Sequence, residues 1–141
     1  VIVADTNVLS EPLKKAPDQR VLSWLRDNGP ILALTTITVS ELLYGVQRLP
    51  VGRRRAGLEA AVDRLIASAR DRLLGYDEEA ARLHASLRVA RGAEGRVTSL
   101  EDGMIAAIAL AYDAQVATRN VAHFEGFGLD VVNPWETSPD S

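Results

Sequence analysis

Three acids and one amide in this 141-residue sequence have side chains suited to metal-assisted chemistry: Asp5, Glu41, Asp102 and Asn120. Asp5 directly follows a short apolar run of strand type, Ile2-Val3-Ala4, and Arg119-Asn120 follows a second run at residues 115–118. Open parallel sheets take their ligands beyond the carboxyl ends of the strands, which is where both lie. Glu41 and Asp102 fall in the first turns of the two helices read as the most buried. Carboxylates gathered in one pocket repel each other, and a divalent cation is a physical reason to gather them. Mg²⁺ takes hard oxygen ligands, typically one or two carboxylates with waters and substrate phosphate oxygens. With no cysteine and only His84 and His123, the inventory suits zinc poorly. Mg²⁺ polarises a phosphoryl oxygen and lowers the pKa of bound water, so phosphodiester hydrolysis fits these residues best.

Each residue also has a purely structural reading. Asp5 before Thr6-Asn7 is a turn former. Glu41 stands three residues after Thr38, and Asp102 three after Ser99, the spacing of a capping box. Asn120 after a strand is commonly a turn residue. His123 near the rim and His84 in mid-helix read as structural histidines, and Trp24 and Trp135 as packing anchors. What favours chemistry is the combination on one sheet edge, which capping does not require.

The elements that must position these residues follow from the apolar pattern. Strands are expected at residues 2–4, 31–34, 73–76, 115–118 and 129–132. A helical turn is expected over residues 10–15. Asp18 opens an amphipathic helix stopped by Asn28-Gly29-Pro30. Thr36 or Thr38 opens another, with Val39, Leu42, Leu43 and Val46 buried. A basic loop over residues 50–55 precedes a helix whose apolar positions run from Leu58 to Ala69 at helical spacing. Asp77 caps a further helix with Ala80, Leu83, Leu87 and Ala90 as its apolar stripe, ending near Gly92. Residues 104–111 are apolar all round, as in a helix buried in the core. Strands alternating with helices predict an α/β class, a three-layer α/β/α unit with a central parallel sheet and helices on both faces. Residues 1–135 read as a single domain and residues 136–141 as a flexible tail.

The composition is that of an ordinary globular protein, 47% apolar and 25% charged, with a net charge of −3. No disulfide framework or thiolate catalysis is open to a cysteine-free chain. A basic n-region is absent and the longest apolar run is far short of the roughly 20 residues that span a bilayer, so a cytoplasmic protein is expected. A chain opening at Val1 is expected to have lost an initiator methionine. No Gly-rich phosphate loop, Gly-x-Gly-x-x-Gly or Gly-x-Ser-x-Gly is present, which removes nucleotide-cofactor and serine-hydrolase readings. Charge is uneven: residues 46–72 carry seven arginines against three acids, and residues 102–141 one arginine against six acids. Such a basic stretch suits phosphate contacts as well as it suits a solvated helix side.

The motifs resemble those of a known family. Val3-Ala4-Asp5-Thr6-Asn7-Val8-Leu9-Ser10-Glu11-Pro12 is similar to the opening of PIN-domain toxins of the VapC type. Thr38-Val39-Ser40-Glu41-Leu42 with Gly45 resembles their second motif, and Asp102 with Ile105-Ala106-Ala107 the third. Ala117-Thr118-Arg119-Asn120, His123-Phe124 and Asn133-Pro134-Trp135 resemble the fourth and the closing strand. The resemblance implies a Mg²⁺- or Mn²⁺-dependent endoribonuclease, the toxin of a type II toxin–antitoxin pair. It makes Asp5, Glu41 and Asp102 the core acids, with Asp5 and Asp102 closest to the metal and Asn120 at a fourth, variable position. Thr6, Asn7 and Thr118 become supporting residues, and Arg53, Arg54, Arg55 and Arg119 contacts to RNA. A homodimer and a VapB-like antitoxin that carries the DNA binding are also implied. Two rival readings stand beside it: a PIN-like module kept for protein binding or regulation, and a DNA nuclease or phosphatase using the same acids.

Overall fold

The computed structural model describes residues 1–96 and 98–136. Five short strands form one parallel sheet: β1 (Ile2–Ala4), β2 (Leu32–Thr35), β3 (Leu73–Leu74), β4 (Gln115–Ala117) and β5 (Val131–Val132), in the order β3-β2-β1-β4-β5. Central β1 is buried at every position, as expected of a strand with helices on both faces. Its register on β4 pairs Ala4 with Ala117, so Asp5 and Thr118 leave the sheet side by side. The Asp5 amide extends that ladder by donating to the Ala117 carbonyl at 2.9 Å.

Six helices cover the sheet: α1 (Thr6–Ser10), α2 (Gln19–Asn28), α3 (Thr36–Gln47), α4 (Arg53–Ser68), α5 (Glu78–Ala93) and α6 (Leu100–Ala111). On one face Val8, Trp24, Leu42, Val46 and Val62 pack with Ala4 and Leu34. On the other Val3, Ala33 and Val116 meet Ile105, Ala106, Ala109 and Phe124. The small side chains of α6 let it lie close against the sheet. This is the predicted α/β/α arrangement. Among the described residues no helix is long and apolar enough to cross a membrane.

The structure departs from the sequence reading in several places. The turn expected over residues 10–15 starts earlier, because Asp5 caps α1 and a 3-10 turn follows at Glu11–Leu13. α3 opens at Thr36, one of the two expected starts, but its cap is Thr35 and not Thr38: β2 runs one residue further than expected, and the Thr35 hydroxyl accepts the Thr38 amide at 3.1 Å. Arg53, Arg54 and Arg55 are not in a loop but form the first turn of α4, since arginine is a good helix former once Gly52 has ended the preceding turn. On α5 the buried face carries Ala80, His84 and Arg91, while Ala90 is exposed. His84 is therefore more than a residue on a helix face. Its Nδ1 lies 2.8 Å from the Tyr76 hydroxyl, and a Cβ on Gly103 would come within 2.7 Å of its Nε2. Glu136, assigned to the tail, closes a 3-10 turn at Pro134–Glu136; residues 137–141 lie outside the described residues.

Candidate active site

The acids at the carboxyl edge of the sheet are held by short local devices. Asp5 is 5% exposed. Its Oδ1 accepts the Thr6 amide at 2.8 Å; its Oδ2 accepts the Thr118 hydroxyl at 2.8 Å and the Asn7 amide group at 3.3 Å. The turn-forming reading of Asp5 is thus correct as far as it goes, yet only Oδ1 serves the cap, while Oδ2 is held by Thr118 and Asn7. Asn7 in turn accepts the Arg119 amide at 3.2 Å, and Thr118 Oγ1 accepts the Asn120 amide at 3.0 Å. Thr6, Asn7 and Thr118 therefore all fix the loops that carry the site.

Glu41 lies on the second turn of α3, half-buried, and its Oε1 accepts the Thr6 hydroxyl at 3.0 Å. With Thr35 as the cap, the capping-box reading of Glu41 has no support. Asp102 keeps half of its box: its amide donates to the Ser99 hydroxyl at 3.1 Å. Its carboxylate turns to His123 instead, with Oδ2 3.0 Å from the ring Nδ1.

These acids feel one another. Burial pushes the Asp5 carboxyl up from its ordinary range, the bonds from Thr118 and Thr6 pull it back, and the Asp102 charge raises it further. Glu41 is likewise raised, first by burial and then by the charges of Asp5, Glu101 and Asp102, against the lowering bond from Thr6. Among the described residues no lysine or arginine forms an ion pair with Asp5, Glu41 or Asp102; the exposed His123 is the only basic group at that distance. Glu101, next to Asp102 on α6, was missed by the sequence reading; only its neighbourhood to Asp102 would have signalled it.

The donor set is chemically right for a hard divalent cation: carboxylate oxygens with lone pairs to spare, in a cluster that has no lysine or arginine partner among the described residues. Among the described residues no three acids or histidines are placed to grip an ion by themselves. A fit therefore needs one or two direct carboxylates with water completing the shell, the habit of Mg²⁺.

Other predicted residues are not drawn into the cluster. The Asn120 side chain makes no hydrogen bond to it; the residue is exposed and lines a shallow groove of about 470 Å³ with Arg119 and His123. Arg119 places its guanidinium over the Trp135 ring at 5.1 Å. Arg55 pairs with Glu59 at 3.0 Å, while Arg53 and Arg54 stand exposed at the start of α4.

Known proteins share this design along almost the whole chain. Residues 2–125 match the PIN domain family. The chain is 41% identical to VapC ribonuclease Y4jK of Sinorhizobium fredii, covering 96% of this chain and 99% of that protein. It is 37% identical to Toxin FitB of Neisseria gonorrhoeae over the same shares of the two chains. Its fold superposes on the crystal structure of FitAcB from Neisseria gonorrhoeae with a TM-score of 0.92 at 34% identity, over 97% of this chain and 100% of that one. The family match, these relatives and the shared fold agree: the chain belongs to the PIN-domain family, in its VapC-like branch.

Proposed function

We propose that this chain is a Mg²⁺-dependent endoribonuclease and the toxin of a type II toxin–antitoxin pair, with residues 1–135 working as one nuclease unit. The observation that carries the reading is the gathering of Asp5, Glu41 and Asp102 at one sheet edge, without a lysine or arginine to neutralise them among the described residues. Relatives named as a ribonuclease and a toxin support it, as does the match to the PIN family.

Asp5 and Asp102 would hold Mg²⁺, or Mn²⁺ in its place. When bound, such an ion polarises the phosphoryl oxygen and lowers the pKa of a coordinated water. Glu41 keeps Oε2 clear of the Thr6 bond and so has a lone pair with which to orient the attacking water. Thr118 and Thr6 keep the Asp5 carboxylate in one orientation, which such ligands need from their surroundings. Asn120 assists from the rim with a neutral oxygen, and Arg53, Arg54 and Arg119 stand exposed for RNA phosphates.

The solved neighbours suggest the company it keeps. They include a FitAB complex bound to a DNA fragment, similar to this chain with a TM-score of 0.92. By analogy the partner here is a VapB-like antitoxin that supplies the DNA contact, on a homodimer of this chain. The test is cleavage of matched single-stranded RNA and DNA oligonucleotides with Mg²⁺, with Mn²⁺ and with EDTA. RNA cut only with metal supports the reading. DNA cut equally well would favour the general nuclease, and binding without cleavage the regulatory module.

A further inference from the structure

Between α5 and α6 lies a cavity of about 290 Å³ with the opposite electrostatic character to the acid cluster. Arg88, Arg91 and Arg96 line it together with Ser99, Gly103 and Phe127; among the described residues no carboxylate lines it, although Glu94, outside the lining, lies 3.5 Å from Arg96 Nε. Arg91 is the unusual member: it is only 6% exposed and has no ion-pair partner among the described residues. Its Nη2 donates to the His123 carbonyl at 3.1 Å, its guanidinium stacks 4.0 Å over the Phe127 ring, and its Nε finds no acceptor among the described residues. A guanidinium is always charged, and burying one without an anion is costly. Arg96 reaches the same wall by donating to the Glu125 carbonyl at 3.3 Å. Gly126, with φ +82°, lets it do so, because a Cβ there would come within 3.1 Å of its Nη1.

We propose that this cavity is a phosphate subsite that holds a backbone phosphodiester of single-stranded RNA next to the cleavage centre. The inference rests on the ribonuclease reading and deepens it. The two sites share one piece of backbone: the first turn of α6 gives Ser99 and Gly103 to the cavity and Asp102 to the acids. Ser99 and Gly103 are about 6 Å apart along the helix axis. His123 joins them too, its carbonyl held by Arg91 and its ring by Asp102. A polyanion approaching three carboxylates that have no lysine or arginine partner among the described residues is repelled unless fixed cations take up its neighbouring phosphates. Arg88 and Arg96 are exposed and able to meet it, with the buried Arg91 supplying charge from beneath.

Two measurements in EDTA, where no cleavage occurs, test the subsite on the intact chain. Inorganic phosphate titrated into the wild-type protein is expected to shift the NMR signal of the Arg91 Nε–H and the amides of the first turn of α6. A single-stranded RNA oligonucleotide is expected to shift the same signals. An Arg88→Gln/Arg96→Gln double variant, altered only at exposed positions, should bind that RNA ~10-fold or more weakly near 0.1 M salt. Its slope of log affinity against log salt should be shallower by about 1.4. Unmoved Arg91 signals, or a variant with wild-type affinity and slope, would overturn the proposal. So would signals that respond to an acidic peptide and not to RNA, which would assign the cavity to a protein carboxylate. Failure of the ribonuclease reading would show separately, as wild-type protein that cuts no RNA with Mg²⁺ present.

Discussion

Glu11 and Asp18 follow Asp5 within the same opening stretch of the chain, yet each has found a cation. Lys14 reaches the buried Glu11 at 2.7 Å and holds its carboxyl below the usual range, while the Asp18 amide donates to its other oxygen at 3.0 Å. Asp18 takes the Arg20 guanidinium at 2.8 Å and the Arg20 amide at 2.9 Å, bonds that lower it to about 2. Asp5 and Glu41 are displaced the other way, upward, first by burial and then by neighbouring acids: Asp102 acts on Asp5, and Asp5, Glu101 and Asp102 act on Glu41. Four carboxylates of one chain thus divide into two pairs. In the first, the charge is neutralised and the fold gains; in the second, it is left bare and the fold is burdened. Groups kept against the interest of stability mark a place where binding or chemistry has been selected.

The comparison breaks most visibly if the bare acids are silenced. Asp5→Asn and Asp102→Asn should each lower RNA cleavage by roughly 10³-fold, within the range for loss of an essential catalytic group. Asp5→Asn should not lower the melting temperature of the metal-free protein, because it removes a buried charge that no lysine or arginine among the described residues balances. Asp102→Asn should lower it only slightly, through loss of the His123 contact. An Asp102→Asn protein that cuts at the parental rate would remove Asp102 from the site. Thr118→Val comes next. It strips Asp5 Oδ2 of its shortest donor while leaving the carboxylate in place. Mn²⁺ affinity, followed by titration, should fall ~10- to 100-fold, as for loss of a group that orients a ligand.

The third effect is smaller and turns on sign. The raised carboxyls of Asp5 and Glu41 bind protons more tightly folded than unfolded. What they contribute is fully present at low pH and is lost as pH rises through their folded values. Metal-free wild-type protein should therefore gain stability relative to Asp5→Asn/Glu41→Gln as pH is lowered from 7 toward 5, measured by denaturant unfolding. Asp18 works oppositely: its contribution is present above the ordinary aspartate range and is lost as pH falls toward about 2. Asp18→Asn keeps the cap but loses the Arg20 pairing, so it should give the smallest change in the set, a slight destabilisation at pH 7. A metal-free wild type that loses stability relative to the double variant on mild acidification would erase the distinction between the two pairs.

How much of this was legible in the sequence depends on whether the information was local. Asp5 was found because an apolar strand ends on it, and Ser99 because a capping hydroxyl precedes an apolar helix. The α/β/α layering followed from strands and helices alternating along the chain. The Thr38 cap was misplaced because Thr35, Thr36 and Thr38 offer equivalent hydroxyls, and only the length of β2 decides among them. His123 was set aside because its partner Asp102 is 21 residues away and no periodicity announces such a contact. The basic cavity was missed although a signal existed. Arg88 and Arg91 follow the apolar position Leu87 at spacings of one and four, which puts Arg91 on its buried face. The arginines of residues 46–72 dominate the sequence by number, yet their side chains are mostly paired or solvated, whereas Arg91 is buried.

Calorimetric titration of Mg²⁺ into the wild-type protein at pH 7 and at pH 5.5 tests most directly whether the bare acids share a cation. Saturable binding that weakens at the lower pH and vanishes in Asp5→Asn is expected. Binding of equal strength at both pH values, or undiminished in Asp5→Asn, would show that these carboxylates do not hold the ion.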